Sequence, residues 1–198
     1  FEEVKPNLIL TVPLILEKIY KKMILPQLSK TTMKVALNIP LLDSRIYAQI
    51  RKKLVDAFGG RFREVIVGGA AMNEEVTNFL YKIKSPFTIG YGMTECGPLI
   101  SYDHNDEYVP GSCGQILKGI MKVRIDSEDP YNKVGEIQVS GENVMKGYYK
   151  NEEATSKVFT EDGWLRTGDL GTIDADNRIY IRGRSKTMIL GACGQNIY

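Results

Sequence analysis

Residues 65–90, VIVGGAAMNEEVTNFLYKIKSPFTIG, decide the fold. The apolar run Val65-Ile66-Val67 breaks at Gly68-Gly69. Asn73 then offers a side-chain oxygen to the first turn of a helix whose apolar positions, Val76, Phe79, Leu80 and Ile83, recur at helical spacing. After Ser85-Pro86 a second apolar run, Phe87-Thr88-Ile89, breaks at Gly90. A strand, a helix and a strand with short connections imply two parallel strands, because the crossover helix returns the chain to the same edge of the sheet. Both glycine turns then lie at the carboxyl ends of their strands, where open α/β sheets bind ligands.

Outward from this unit the pattern is helical on one side and β on the other. Ile15, Leu16, Ile19, Tyr20 and Met23 predict a helix over 13–25, with Thr11 as a cap, Pro13 near its start and Pro26 as its end. Residues 31–40 show no clear period and read as a connection, part of it helical. A second helix is expected after Asp43 and Ser44, with Ile46, Tyr47, Ile50, Leu54 and Phe58 on one face and Gly59-Gly60 as its stop. From about residue 109, Val123 and Ile125, Ile137 and Val139, and Ile179 and Ile181 alternate with polar residues, which is the pattern of antiparallel β structure. A short helix is expected near Asn151 to Lys157. The fold class is therefore α/β: a parallel βαβ portion over 1–108, then an antiparallel β-rich, distorted barrel-like subdomain over 109–183.

With 198 residues, 43% hydrophobic and 25% charged, the chain can bury a core. Lys and Arg number 26 against 24 Asp and Glu, a formal charge of +2, too small to point to nucleic acid. Three cysteines with no CxxC pair indicate neither a disulfide framework nor a zinc site, and a reducing cytosol fits. The most apolar stretch, Leu8 to Leu16, is interrupted by Thr11 and Pro13 and falls far short of the roughly 20 residues a membrane span needs. Lys18, Lys21 and Lys22 read as a solvated helix face, with peripheral contact to an anionic membrane as the alternative. Both ends look cut: Phe1 opens the chain without a methionine, and Tyr198 follows an apolar run. Oligomeric state leaves no mark in the sequence.

Several segments could carry chemistry, and each has a plain structural reading beside it. Gly68 and Gly69 in VGGAAM would let a flat or phosphorylated ligand approach the backbone, or would simply turn a strand into a helix. In TIGYGMTECGPL, Thr94 can donate to a phosphate oxygen, Tyr91 can offer a ring face to a base between Gly90 and Gly92, and Glu95 suits magnesium. The other reading is a polar turn around a buried tyrosine. Asp169 in DGWLRTGDLG lies in a glycine-flanked turn, where an exposed carboxylate could accept from both hydroxyls of a ribose or cap its own turn. Arg184 and Lys186 place cations beside a glycine-rich segment, or are solvated charges on a turn. Cys96 reads as buried packing, and His104, in a polar loop, reads as non-catalytic. Asp174 to Arg178 lacks the glycine and distal glutamate of a calcium loop and reads as a β-turn.

Taken in order, VGGAAM, GYGMTE, GEIQVSGENVMKGYY, GWLRTGD and GRSKTMILGACGQNIY resemble the consecutive core motifs of the adenylate-forming, AMP-binding superfamily. KPNLILTVPLILEKIYKK and FGGRFREVIVGGAAM are similar to its long-chain fatty acyl-CoA synthetase branch. The resemblance implies ATP-dependent activation of a fatty acid through an acyl-adenylate, with transfer to CoA. Thr94 would hold the α-phosphate and Glu95 would ligate Mg2+. Gly69, Ala70, Ala71, Tyr91 and Gly92 would line the adenine and acyl pocket. Asp169 would clamp the ribose, Arg184 would add a ribose or phosphate contact, and Lys186 would fall at a hinge within 184–198, where a C-terminal domain begins. The family's phosphate loop and C-terminal adenylation lysine are missing, so the chain reads as an internal piece that is inactive alone. The implied location is cytoplasmic or membrane-peripheral. Two other readings stay open: a ligase adenylating a different carboxylic acid, and a non-catalytic AMP-binding module.

Overall fold

The computed structural model describes residues 3–184, 189–190 and 196–197. Contacts divide the chain into two compact units, the first reaching Thr88 and the second starting at Ile89. Antiparallel pairing begins directly after that division, at Tyr91, well before the change of character near residue 109.

In the first unit, strands β1 (Leu8–Thr11), β2 (Glu64–Val67) and β3 (Phe87–Ile89) form a three-stranded parallel sheet in that order. β1 pairs with β2 from Leu8 opposite Glu64 to Thr11 opposite Val67. Helix α5 (Glu74–Lys82) is the crossover expected from the sequence. Asn73 Oδ1 accepts from the Val76 N–H at 3.3 Å, and Glu74 and Glu75 place negative charge at the amino end of the helix dipole. Val76, Leu80 and Ile83 are buried, and each such side chain contributes about 2 kcal/mol of apolar burial.

The upstream helices depart from expectation. α1 (Pro13–Ile19) is preceded by Val12, not capped by Thr11, which belongs to β1. Pro26 does not end the helical run. A π-type turn over Tyr20–Ile24 bonds the Leu25 N–H to the Tyr20 carbonyl, so that Pro26 falls in the first turn of α2 (Leu25–Leu28), where its missing N–H costs nothing. Tyr20 is held across this unit: its hydroxyl donates to Glu75 Oε1 at 2.9 Å, and its ring lies 5.1 Å from that of Phe79. α3 (Thr31–Ala36) fills part of the expected connection. α4 (Leu42–Ala57) starts just ahead of Asp43 and buries Leu54, with Phe58 buried directly after it, while Ile46, Tyr47 and Ile50 are half-buried.

In the second unit β4 (Tyr91–Gly92) pairs antiparallel with β5 (Leu99–Ser101), and a 3₁₀ turn over Thr94–Cys96 connects them. β6 (Met121–Asp126), β7 (Gly135–Gly141), β8 (Leu165–Ile173) and β9 (Ile179–Arg184) form a four-stranded antiparallel meander, and α6 (Glu152–Val158) lies between β7 and β8. β10 (Ile189–Leu190) pairs with β11 (Asn196–Ile197). Of the alternating residues named from sequence, Ile137, Val139 and Ile179 are 0% exposed and meet Leu165, Cys96, Ile100 and Tyr91 in one core. Asp174 to Arg178 is the expected turn, with Asp174 Oδ1 accepting from the Asp176 and Arg178 N–H groups. Arg178 also pairs with the buried Asp103 at 3.1 Å. Among the described residues no helix is long and apolar enough to cross a membrane.

Candidate functional site

The second unit gathers polar side chains around Asp169. β8 reaches this residue through a distortion: Gly168 takes φ +73°, and the register against β9 shifts between Leu170 and Gly171. Asp169 is the cross-strand partner of Arg184, whose Nε donates to Oδ1 at 2.7 Å. The Tyr91 hydroxyl donates to Oδ2 at 2.7 Å, and the Asp169 N–H donates to Thr167 Oγ1 at 3.1 Å. Thr167 in turn donates to the Ile137 carbonyl at 2.7 Å, which ties the cluster to β7. The carboxylate is 3% exposed and sits within a strand, which corrects the expectation of an exposed group in a turn. Burial of an isolated carboxylate costs several kcal/mol, and the two donors that reach it, the Tyr91 hydroxyl and Arg184 Nε, supply the compensation.

Tyr91 follows the second of its two readings, the buried tyrosine. Its ring is 6% exposed and belongs to the core, so the group it presents to the polar cluster is its hydroxyl, not an open ring face. Burial raises the pKa of that hydroxyl well above the ordinary tyrosine value, and the negative charge of Asp169 adds to the shift, so it remains a donor in mildly alkaline solution. At Gly92 a Cβ would run into the backbone carbonyl of Pro98. Glycine there permits the close approach of β4 and β5.

Thr94 and Glu95 stand on the adjoining 3₁₀ turn, with Thr94 exposed and Glu95 half-buried. Glu95 Oε1 accepts from the Tyr148 hydroxyl at 2.9 Å, and the Glu95 carbonyl accepts from the Met145 N–H at 2.7 Å. Asn143 Nδ2 donates to the carbonyls of Cys96 at 2.6 Å and Leu99 at 2.8 Å. Asn143 and Tyr148 lie inside the GENVMKGYY motif, whose sequence alone assigns neither of them a partner. Their partners are 53 and 47 residues away in the chain for Tyr148 and Asn143–Cys96 respectively, and no local pattern marks such pairs.

Cys96 is wholly buried, as expected, and burial pushes its thiol up to about 11. His104 Nδ1 lies 2.9 Å from the Tyr102 hydroxyl in an exposed pairing. Gly69, Ala70 and Ala71 follow β2 in the first unit, and Gly69 adopts φ +83° with nothing within 4 Å of a Cβ placed on it. The structure thus joins Tyr91, Asp169 and Arg184 directly and sets Thr94 beside Glu95. Lys186 lies outside the described residues. Among the described residues no group of three or more His, Cys, Asp or Glu side chains could hold a metal ion. A lone carboxylate such as Glu95 fits magnesium only where nucleotide phosphates and water complete an oxygen shell, which is a common arrangement for that ion.

The model of the AMP-binding enzyme family matches residues 1–149. Long-chain-fatty-acid–CoA ligase 1 of Saccharomyces cerevisiae is 29% identical over 99% of this chain and 30% of its own length. 4-Coumarate-CoA ligase 1 of Narcissus pseudonarcissus is 36% identical over 76% of this chain and likewise 30% of its own. Among solved structures, a malonyl-CoA ligase in a ternary product complex with methylmalonyl-CoA and AMP superposes with a TM-score of 0.70 and 26% identity, covering 96% of this chain and 36% of that one. The chain therefore spans about a third of the proteins it resembles.

Proposed function

The chain belongs to the AMP-binding enzyme family, and from that premise we propose that it is part of an ATP-dependent acid–CoA ligase. In the reaction a carboxylate oxygen attacks the α-phosphorus of ATP, the bond to pyrophosphate breaks, and an acyl-adenylate forms. The CoA thiol then attacks the acyl carbon and AMP leaves. Asp169 accepts from the ribose hydroxyls, Arg184 orients that carboxylate, and Thr94 donates to the α-phosphate. Glu95 is the residue that would hold magnesium, whose chemistry is to neutralise phosphate charge as pyrophosphate departs. The observation that carries this reading is the buried Asp169 carboxylate, gripped by Tyr91 and Arg184 within a chain of this family.

For the acid itself we propose a long-chain fatty acid, supported by the yeast relative that aligns along 99% of the chain. An aryl acid is the second reading, favoured by the higher identity, 36%, of the coumarate ligase over a shorter span. Pyrophosphate exchange by the full-length protein against a series of short, long-chain and aryl acids tests both. Exchange greatest with long-chain acids is expected. A maximum with aryl acids would keep the chemistry and replace the substrate, and no exchange with any acid would overturn the ligase reading in favour of an AMP-binding module.

A further inference from the structure

The loop between β7 and α6 makes four hydrogen bonds to the segment from Glu95 to Leu99, and one of them ends on a carboxylate. Asn143 Nδ2 holds the Cys96 and Leu99 carbonyls, and the Met145 N–H holds the Glu95 carbonyl. With the backbone so fixed, the Tyr148 hydroxyl donates to Glu95 Oε1 at 2.9 Å. Tyr148 is itself anchored: its N–H donates to Thr155 Oγ1 at 2.9 Å, Thr155 donates to the Asn151 carbonyl at 2.8 Å, and Asn151 caps α6. Gly147, at φ +151°, lets the chain pass Thr155, where a Cβ would lie 2.8 Å from its methyl group.

Glu95 is half-buried, yet among the described residues no Lys or Arg pairs with it, and its only side-chain hydrogen bond is the neutral one from Tyr148. Oε2 has no hydrogen-bond partner among the described residues. A carboxylate held on one oxygen by a neutral donor has no counter-charge at that contact, and its other oxygen points in a fixed direction. We propose that Tyr148 is a positioning residue for Glu95, orienting its carboxylate so that Oε2 is presented to a hydrated divalent cation. This rests on the metal-holding role given to Glu95 above.

The test uses the full-length protein with Mn2+ as the probe, bound Mn2+ being read by electron paramagnetic resonance in the presence of a non-hydrolysable ATP analogue. Tyr148→Phe keeps the ring and removes the hydroxyl. Its Mn2+ affinity should fall about fivefold, the worth of one modest hydrogen bond, with metal-free AMP affinity and the thermal midpoint unchanged. Glu95→Gln should lower Mn2+ affinity further. Normal Mn2+ affinity in Tyr148→Phe beside a clear loss in Glu95→Gln would overturn the positioning role alone. Normal affinity in Glu95→Gln would overturn the metal role and this inference together. Equal loss of Mn2+ and AMP binding in Tyr148→Phe would show that the loop only maintains structure.

Discussion

Two glycine-bearing turns follow strands in this chain, and they are held in opposite ways. The turn after β2 in the first unit is loosely tied: Gly68 N–H donates to the Thr11 carbonyl, Asn73 N–H reaches Glu17 Oε1, and nothing lies near a Cβ built on Gly69. The turn after β4 in the second unit is clamped on both sides, by the Pro98 backbone against Gly92 and by Asn143, Met145 and Tyr148 against Thr94–Cys96. Glycine in the first turn answers to dihedral angle, and in the second to close approach. Only the second turn has its charged side chain, Glu95, held in place from a distant part of the chain.

Alanine at each glycine should separate the two cases. Gly92→Ala forces a methyl into the Pro98 carbonyl, with rigid backbone on both sides, and should cost about 4 kcal/mol of stability or abolish the native second unit, read by chemical denaturation. Gly69→Ala meets no atom and carries only the penalty of positive φ, about 1 kcal/mol. Equal costs at the two positions would contradict the contrast.

Alkaline pH gives a smaller effect with a defined window. The Cys96 thiol behind the second turn is raised from 9.0 to about 11 by burial, so the folded state holds this proton more tightly than the unfolded one. Its contribution to stability is complete below pH 9.0 and drains away as pH rises towards about 11. In the first unit Tyr20, raised from 10.0 to about 12 by burial and by its bond to Glu75, produces the same loss in a later window. Thermal midpoints measured across this range should begin to fall near pH 9, and Cys96→Ala should make that fall shallower without moving its onset, because burial raises the Cys113 thiol from 9.0 to about 11 as well.

Much of the architecture was legible because local rules govern it. Asn73, the spacing of Val76, Leu80 and Ile83, and the alternation of Ile137 with Val139 each report a nearby physical requirement, and the structure satisfies them. The failures came where a distant partner or a rarer geometry overrides the local signal. Pro26 continues a helical run because a π-type turn precedes it. Asp169 reads as a turn residue from its flanking glycines, yet Gly168 marks a strand distortion that turns the carboxylate towards Tyr91 and Arg184. The candidate site residues rest on motif order, whereas the contacts of Asn143 and Tyr148 have no such signal. Those contacts exist only across the space between the 3₁₀ turn and the loop after β7.

The central claim is that the Asp169 cluster holds the ribose of an adenylate, and calorimetric titration of AMP into the full-length protein and its Asp169→Ala variant tests it most directly. The account predicts that affinity falls by about thirtyfold or more, equivalent to about 2 kcal/mol for lost hydrogen bonds to a charged group, in a variant that stays folded. Unchanged AMP affinity in a folded Asp169→Ala protein would contradict it.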